Sequence, residues 1–163
     1  MTERATVKPL THATRTYKQS RFEALPGVPT RMLVSGRSAA GKGTLISSLV
    51  FDHYRGVIEH IFIFSSTVHL DPTWKSIAEY AEQELGQGKT NDPASVPFLY
   101  DRFDEAAIRH IVKLQKESLQ RQTEAKRKKL RGCLVIFDDL SHDGEIRKHQ
   151  AGITAELFTT SRH

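Results

Sequence analysis

Cysteine is nearly absent: Cys133 is the one thiol in 163 residues. That excludes an intramolecular disulfide and any zinc site built on several cysteines. Long apolar runs are missing as well. None approaches the ~18 residues of a membrane-spanning helix. The N-terminus carries no apolar stretch of the signal-peptide kind, so the sequence reads as intracellular. Aromatic residues are few, at 8%, and none interrupts the densest basic stretch, which argues against base stacking on single strands there. No internal repeat stands out. What is present suits a globular chain: 38% apolar and 26% charged residues, at a length that fits one domain or one domain with a short arm.

The formal net charge is +5, and it is unevenly placed. Six basic residues (Arg121, Lys126, Arg127, Lys128, Lys129, Arg131) stand against one acid, Glu124, so this stretch alone equals the charge of the whole chain. It reads as a solvated helix end or as a contact for a phosphate backbone, with Lys126, Arg127, Lys128 and Lys129 as the nucleic-acid candidates.

Residues 1–29 are polar, scattered with basic side chains and closed by Pro26, Gly27 and Pro29; they predict a flexible basic arm ahead of a domain over 30–163. Met32-Leu33-Val34-Ser35 predicts a short buried strand. Residues 44–51 predict a helix with Leu45, Leu49 and Val50 on one face. A second strand is expected over 58–66, centred on Ile61-Phe62-Ile63-Phe64. Asp71-Pro72 should open a helix through Trp74, Ile77, Ala78 and Ala81, since proline suits a first helical turn. A loop follows over 86–97, then a short strand at Phe98-Leu99-Tyr100. Residues 102–129 predict a long helix whose stripe of Ile108, Ile111, Val112 and Leu119 stops before the basic tract. Cys133 to Phe137 is a continuous apolar run, as in a parallel strand covered on both faces. A last helix is expected over 149–160. Strands alternating with helices predict an α/β fold with a mostly parallel sheet flanked by helices.

Gly36-Arg37-Ser38-Ala39-Ala40-Gly41-Lys42-Gly43-Thr44 matches the G-x-x-x-x-G-K pattern, between a predicted strand and a predicted helix. Glycines let successive backbone N–H groups turn toward phosphate oxygens, and the following helix adds its positive end. Lys42 would reach the terminal phosphates of ATP, and Thr44 is the hydroxyl candidate for Mg2+. Gly43 stands where that hydroxyl usually sits. Gly86-Gln87-Gly88-Lys89-Thr90 resembles the tail of the same pattern but has no strand before it and Asn91-Asp92-Pro93 after it, so it reads as a plain loop. At the end of the third apolar run, Asp138 would hold magnesium and Asp139 would orient or deprotonate an attacking water, alongside the catalytic role of Lys42; the bland alternative is two aspartates capping a turn. His142, Asp143 and His149 match no zinc spacing.

Three stretches carry a resemblance: residues 31–44, then His60-Ile61-Phe62-Ile63-Phe64-Ser65-Ser66-Thr67 with Asp71 and Trp74, then 134–140. Together they resemble the poxvirus-type DNA-packaging ATPases of large DNA viruses, in the FtsK–HerA branch of P-loop ATPases. Leu157-Phe158 with Ser161-Arg162-His163 is similar to the segment after the acidic strand in that family. The resemblance implies a P-loop NTPase core, ATP and magnesium as ligands, duplex DNA as partner, a homo-oligomer, and a virion or infected-cell setting. It also implies a further strand between the phosphate-loop strand and the acidic strand, so the core is expected to be C-terminally incomplete. The alternatives are a nucleoside monophosphate kinase, which shares Gly-Lys-Gly-Thr, and a non-catalytic nucleotide-binding fragment.

Overall fold

The computed structural model describes residues 16–88 and 96–140. The expected helix over 149–160, the histidines at 142 and 149, Asp143 and the tail at 157–163 lie outside the described residues, as do residues 1–15 of the expected arm.

The apolar runs sort into a three-stranded sheet. Its strands are β1 (Ile58–Ser65), β2 (Leu99–Tyr100) and β3 (Gly132–Asp138), in the order β2-β1-β3 and all parallel. The helices are α1 (Lys42–Ser48), continued by a π-helical turn over Leu49–His53, then α2 (Pro72–Glu84) and α3 (Glu105–Glu124). The chain leaves β1 for β2 through α2, then crosses back over β1 to β3 through α3. Right-handed crossovers running in opposite directions place α2 and α3 on opposite faces. This explains why Ile61, Phe62, Ile63 and Phe64 are all buried although their side chains alternate in direction. Phe64 stacks on Tyr100 and on Phe137, joining the three strands through aromatic contacts.

Local chemistry fixes the helix starts. Asp71 caps α2 by accepting from the Thr73 N–H at 2.8 Å, with Pro72 in the first turn. Asp104 caps α3 by accepting from the Ala107 N–H at 2.9 Å. The expected start at 102 is therefore three residues early. The expected end at 129 is too late: α3 closes at Glu124, with Lys126 left-handed at φ 54°, the Lys126 N–H on the Thr123 carbonyl (2.9 Å) and the Arg127 N–H on the Gln122 carbonyl (3.0 Å). That is a Schellman close, and it turns residues 125–131 into a loop instead of a helix end.

Two further expectations are corrected. Residues 31–35 form no strand: they pair with no described strand, and Leu33 is 95% exposed. Apolar content alone does not make a parallel strand, which needs a neighbour for its backbone groups. β3 likewise is not covered on both faces. Most of it is half-buried, and Phe137 is 37% exposed, because among the described residues nothing pairs along its far edge. Leu45 is also outside the core, at 48% exposure.

The loop at Gly86-Gln87-Gly88 has a structural task. Beyond the short β2, the Gln87 side chain replaces a strand: it accepts from the Ile61 N–H at 2.7 Å and donates to the Ile61 carbonyl at 2.9 Å. At the other end of β1 the register slips between Ile58 and His60, leaving Glu59 as the extra residue. Glu59 takes hydrogen bonds from Ser118 and, at 2.6 Å, from Gln122 of α3. Gln122 also grips both backbone groups of Arg131, at 2.8 and 3.1 Å. One buried glutamine thus ties β1, α3 and the basic loop together.

Residues 16–29 lie against this body. Tyr17 bridges Leu130, the Ser20 hydroxyl donates to the His53 carbonyl at 2.6 Å, and the Tyr54 hydroxyl donates to the Pro26 carbonyl at 2.8 Å. No helix among the described residues is long and apolar enough to cross a membrane.

Cys133 sits in β3 opposite His60. Burial, reinforced by the Glu59 carboxylate, pushes its thiol up to about 12. Thiolate is the reactive form, so alkylation at pH 8 should run on the order of 100-fold slower in the folded protein than in guanidinium. Equal rates would show that the β3 edge opens freely.

Candidate functional site

In a parallel sheet all strands end at one edge. Here that edge carries Ser65 of β1 and Asp138 of β3, which are register partners. The turn after β1 leads to the start of α2, and residues 36–41 lead into α1 beside it. The edge therefore gathers Lys42, Ser65, Thr67, Asp71, Thr73, Asp138 and Asp139 from four segments.

The loop at 36–41 is exposed. Ala39 and Gly41 take left-handed φ values of 58° and 84°. Glycine adopts that conformation freely, whereas at Ala39 it is strained. Lys42 folds back over the loop, its ammonium donating to the carbonyls of Gly36 (2.9 Å) and Arg37 (3.0 Å). Arg37, Ser38 and Ala40 complete the turn, with the Ala40 N–H on the Arg37 carbonyl at 3.2 Å.

Asp138 is half-buried. Burial raises its carboxyl above the ordinary value of 3.8, and the neighbouring Asp139 and Asp71 push the same way. A hydrogen bond from Ser65, at 3.4 Å to Oδ2, and the charge of Lys42 oppose the rise. Lys42 and Asp138 are thus within electrostatic reach of each other. Ser65 is fully buried and shares a 3.1 Å hydrogen bond with the Thr67 hydroxyl. Asp139 is exposed and left-handed at φ 46°, and its carbonyl accepts from the Ser66 hydroxyl at 3.0 Å.

The departure at Gly43 has a physical cause. A Cβ on Gly43 would lie 2.8 Å from Thr73 Oγ1 and 3.4 Å from its methyl. The Thr73 side chain of α2, its hydroxyl foremost, occupies the space that a side chain at 43 would need. Thr44, one helical step on, is exposed. Thr73 joins the edge without any motif signal, whereas Ser65 and Asp71 stood in the sequence only within the stretch that carries the resemblance, with no role assigned to either beyond Asp71-Pro72 opening a helix.

Lys126, Arg127, Lys128 and Lys129 are exposed in the α3–β3 loop. They enter at the opposite end of β3, away from the edge that carries Ser65 and Asp138. Among the described residues no three His, Cys, Asp or Glu side chains converge on one point. No protein-family model, no curated protein and no solved structure matches the chain.

Proposed function

We propose that the chain is a P-loop ATPase that takes ATP and magnesium at the carboxyl edge of its sheet, in the manner of the motors that drive double-stranded DNA into viral capsids. The observation that carries the reading is that residues 36–42 and Asp138, distant in sequence, lie at the same edge of the sheet, near enough for the Lys42 charge to act on the Asp138 carboxyl. Open parallel sheets bind ligands outside the carboxyl ends of their strands, which supports the same location.

The donor set suits the ligands. Magnesium keeps several waters and usually takes one or two carboxylates plus phosphate oxygens, so one Asp138 with a hydroxyl is sufficient on the protein side. Residues 36–44 would cradle the phosphates and Lys42 would neutralise the terminal ones. Asp138 would hold the metal together with the hydroxyl of Thr44 or, through the space left by Gly43, of Thr73. Bound magnesium would offset the charge on the phosphates. Asp139 would orient or deprotonate the attacking water. Duplex DNA as partner and a homo-oligomeric assembly follow from the family resemblance.

Calorimetry with ATP and magnesium tests the cradle. Lys42→Ala should weaken binding tenfold or more, about 1.4 kcal/mol. Equal affinity would overturn the assignment. Hydrolysis measured with and without duplex DNA, beside AMP phosphorylation, separates the reaction classes: stimulation by DNA supports the motor, and phosphorylation of AMP sinks it.

A further inference from the structure

At the end of the sheet opposite the phosphate loop, a cavity of about 450 Å³ opens between the docked segment at 18–21 and the turn that precedes β1. The eight residues of β1 separate the two ends by roughly 23 Å, so one small ligand cannot occupy both.

The lining is basic. Lys18, Arg21 and Arg55 contribute three cations against one carboxylate, Asp52. Arg55 pairs with Glu84 at 3.4 Å, but both side chains are more than half exposed, and such a pair gives way readily to a stronger anion. Backbone hydrogen bonds tie the walls of the cavity to the end of the basic loop. The Lys18 N–H donates to the Leu130 carbonyl at 2.7 Å, and the Leu130 N–H donates to the Thr16 carbonyl at 2.9 Å. Val57, on the cavity wall, accepts from the Gly132 N–H at 3.4 Å. Three segments far apart in sequence therefore border one positive surface, five of whose cations lie on the loop from Lys126 to Arg131. The grip of Gln122 on Arg131 holds the end of that loop in place.

We infer that this surface is a clamp for the phosphate backbone of duplex DNA, with Lys18, Arg21 and Arg55 as contacts beyond the loop lysines. Its charge extends past the cavity rim, more than a single phosphate would engage. Base stacking is not available: the half-exposed Phe22 ring has the Arg21 guanidinium 4.9 Å over it and the His53 ring 4.7 Å away. Backbone contact without base reading gives binding independent of sequence. The inference rests on the DNA half of the proposal above and not on its ATP half.

Anisotropy with a labelled 20-base-pair duplex, without nucleotide, over 50–200 mM salt tests it on the full chain. Each phosphate contact contributes about 0.9 to the slope of log affinity against log salt. Changing Lys18, Arg21 and Arg55 together to Gln should flatten the slope by about one to 2.7 units. Changing Lys126, Arg127, Lys128 and Lys129 to Gln should flatten it by about one to three. Asp52→Asn, which removes the opposing carboxylate, should tighten binding about two- to fivefold; this gain cannot come from misfolding. If the loop variant loses slope while the cavity triple and Asp52→Asn match wild type, the clamp is overturned and the DNA proposal stands. If wild type fails to bind the duplex at 50 mM salt, both fall, while ATP binding at Lys42 is unaffected.

Discussion

Gly43→Val is expected to be the most damaging single change among residues 36–44, lowering stability by about 3 kcal/mol, the upper end for an overpacked site. At roughly 2–4 °C per kcal/mol for a chain of this size, the melting temperature should fall by about 6–12 °C. The new Cβ would meet Thr73 Oγ1 at 2.8 Å and its methyl at 3.4 Å, and valine adds two methyls to that collision. Gly43→Ala should cost less, because alanine recovers up to about 1 kcal/mol of helix propensity over glycine. Combining Gly43→Ala with Thr73→Ala should restore most of the loss, with a coupling of about 1 kcal/mol or more in a double-mutant cycle. Thr73→Ala alone keeps the cap, since its backbone N–H still donates to Asp71. It should nevertheless weaken magnesium-dependent ATP binding on the proposed reading. A Gly43→Val protein as stable as wild type would mean that α1 and α2 do not meet at this point.

That contact marks the boundary of what could be read in the sequence. β1 was legible because four consecutive apolar residues suit a strand buried on both faces. α2 was legible because Asp71 and Pro72 are a cap and a first turn. β3 was legible as an apolar run ending in acids, but its partial exposure was not, because coverage depends on neighbours elsewhere in the fold. The same reason defeated the strand expected over 31–35: its apolar content is real, yet no described strand lies beside it to take its hydrogen bonds. The end of α3 was missed because lysine, not glycine, takes the left-handed position that closes the helix. Residues 36–44 and Asp138 stand out in the sequence as motifs, whereas Thr73 comes to the edge only through packing. Gln87 looked like an ordinary loop residue, and no local pattern reveals that its amide replaces a strand. The basic cavity combines two segments, 18–21 and 51–57, that are unremarkable one at a time.

Asp138→Asn is expected to raise the melting temperature of the ligand-free protein while removing magnesium-dependent ATP binding. Burial holds the Asp138 carboxyl above its ordinary 3.8, aided by Asp139 and Asp71. A group whose folded value is raised favours the fold when protonated, and that advantage is lost as pH rises through the folded value. Wild type and variant should therefore melt alike below pH 3.8. The variant's lead should open above that point and level off once Asp138 is fully ionised. Asparagine keeps the shape and an oxygen for the Ser65 hydroxyl, so the substitution removes the cost of holding a charge there without disturbing that contact. ATP with magnesium should reverse the order. At a hundred times the Kd, ligand binding stabilises wild type by about 2.7 kcal/mol through mass action, and the variant should keep only the part that does not need the metal. Asp139→Asn should show the opposite profile, retaining the ligand-induced shift and losing hydrolysis, because Asp139 is exposed and its link to Ser66 runs through the backbone carbonyl. A melting point for Asp138→Asn below wild type at pH 7, with the magnesium-dependent shift intact, would make Asp138 a structural residue. If Asp139→Asn loses the shift and Asp138→Asn keeps it, the two carboxylates exchange roles.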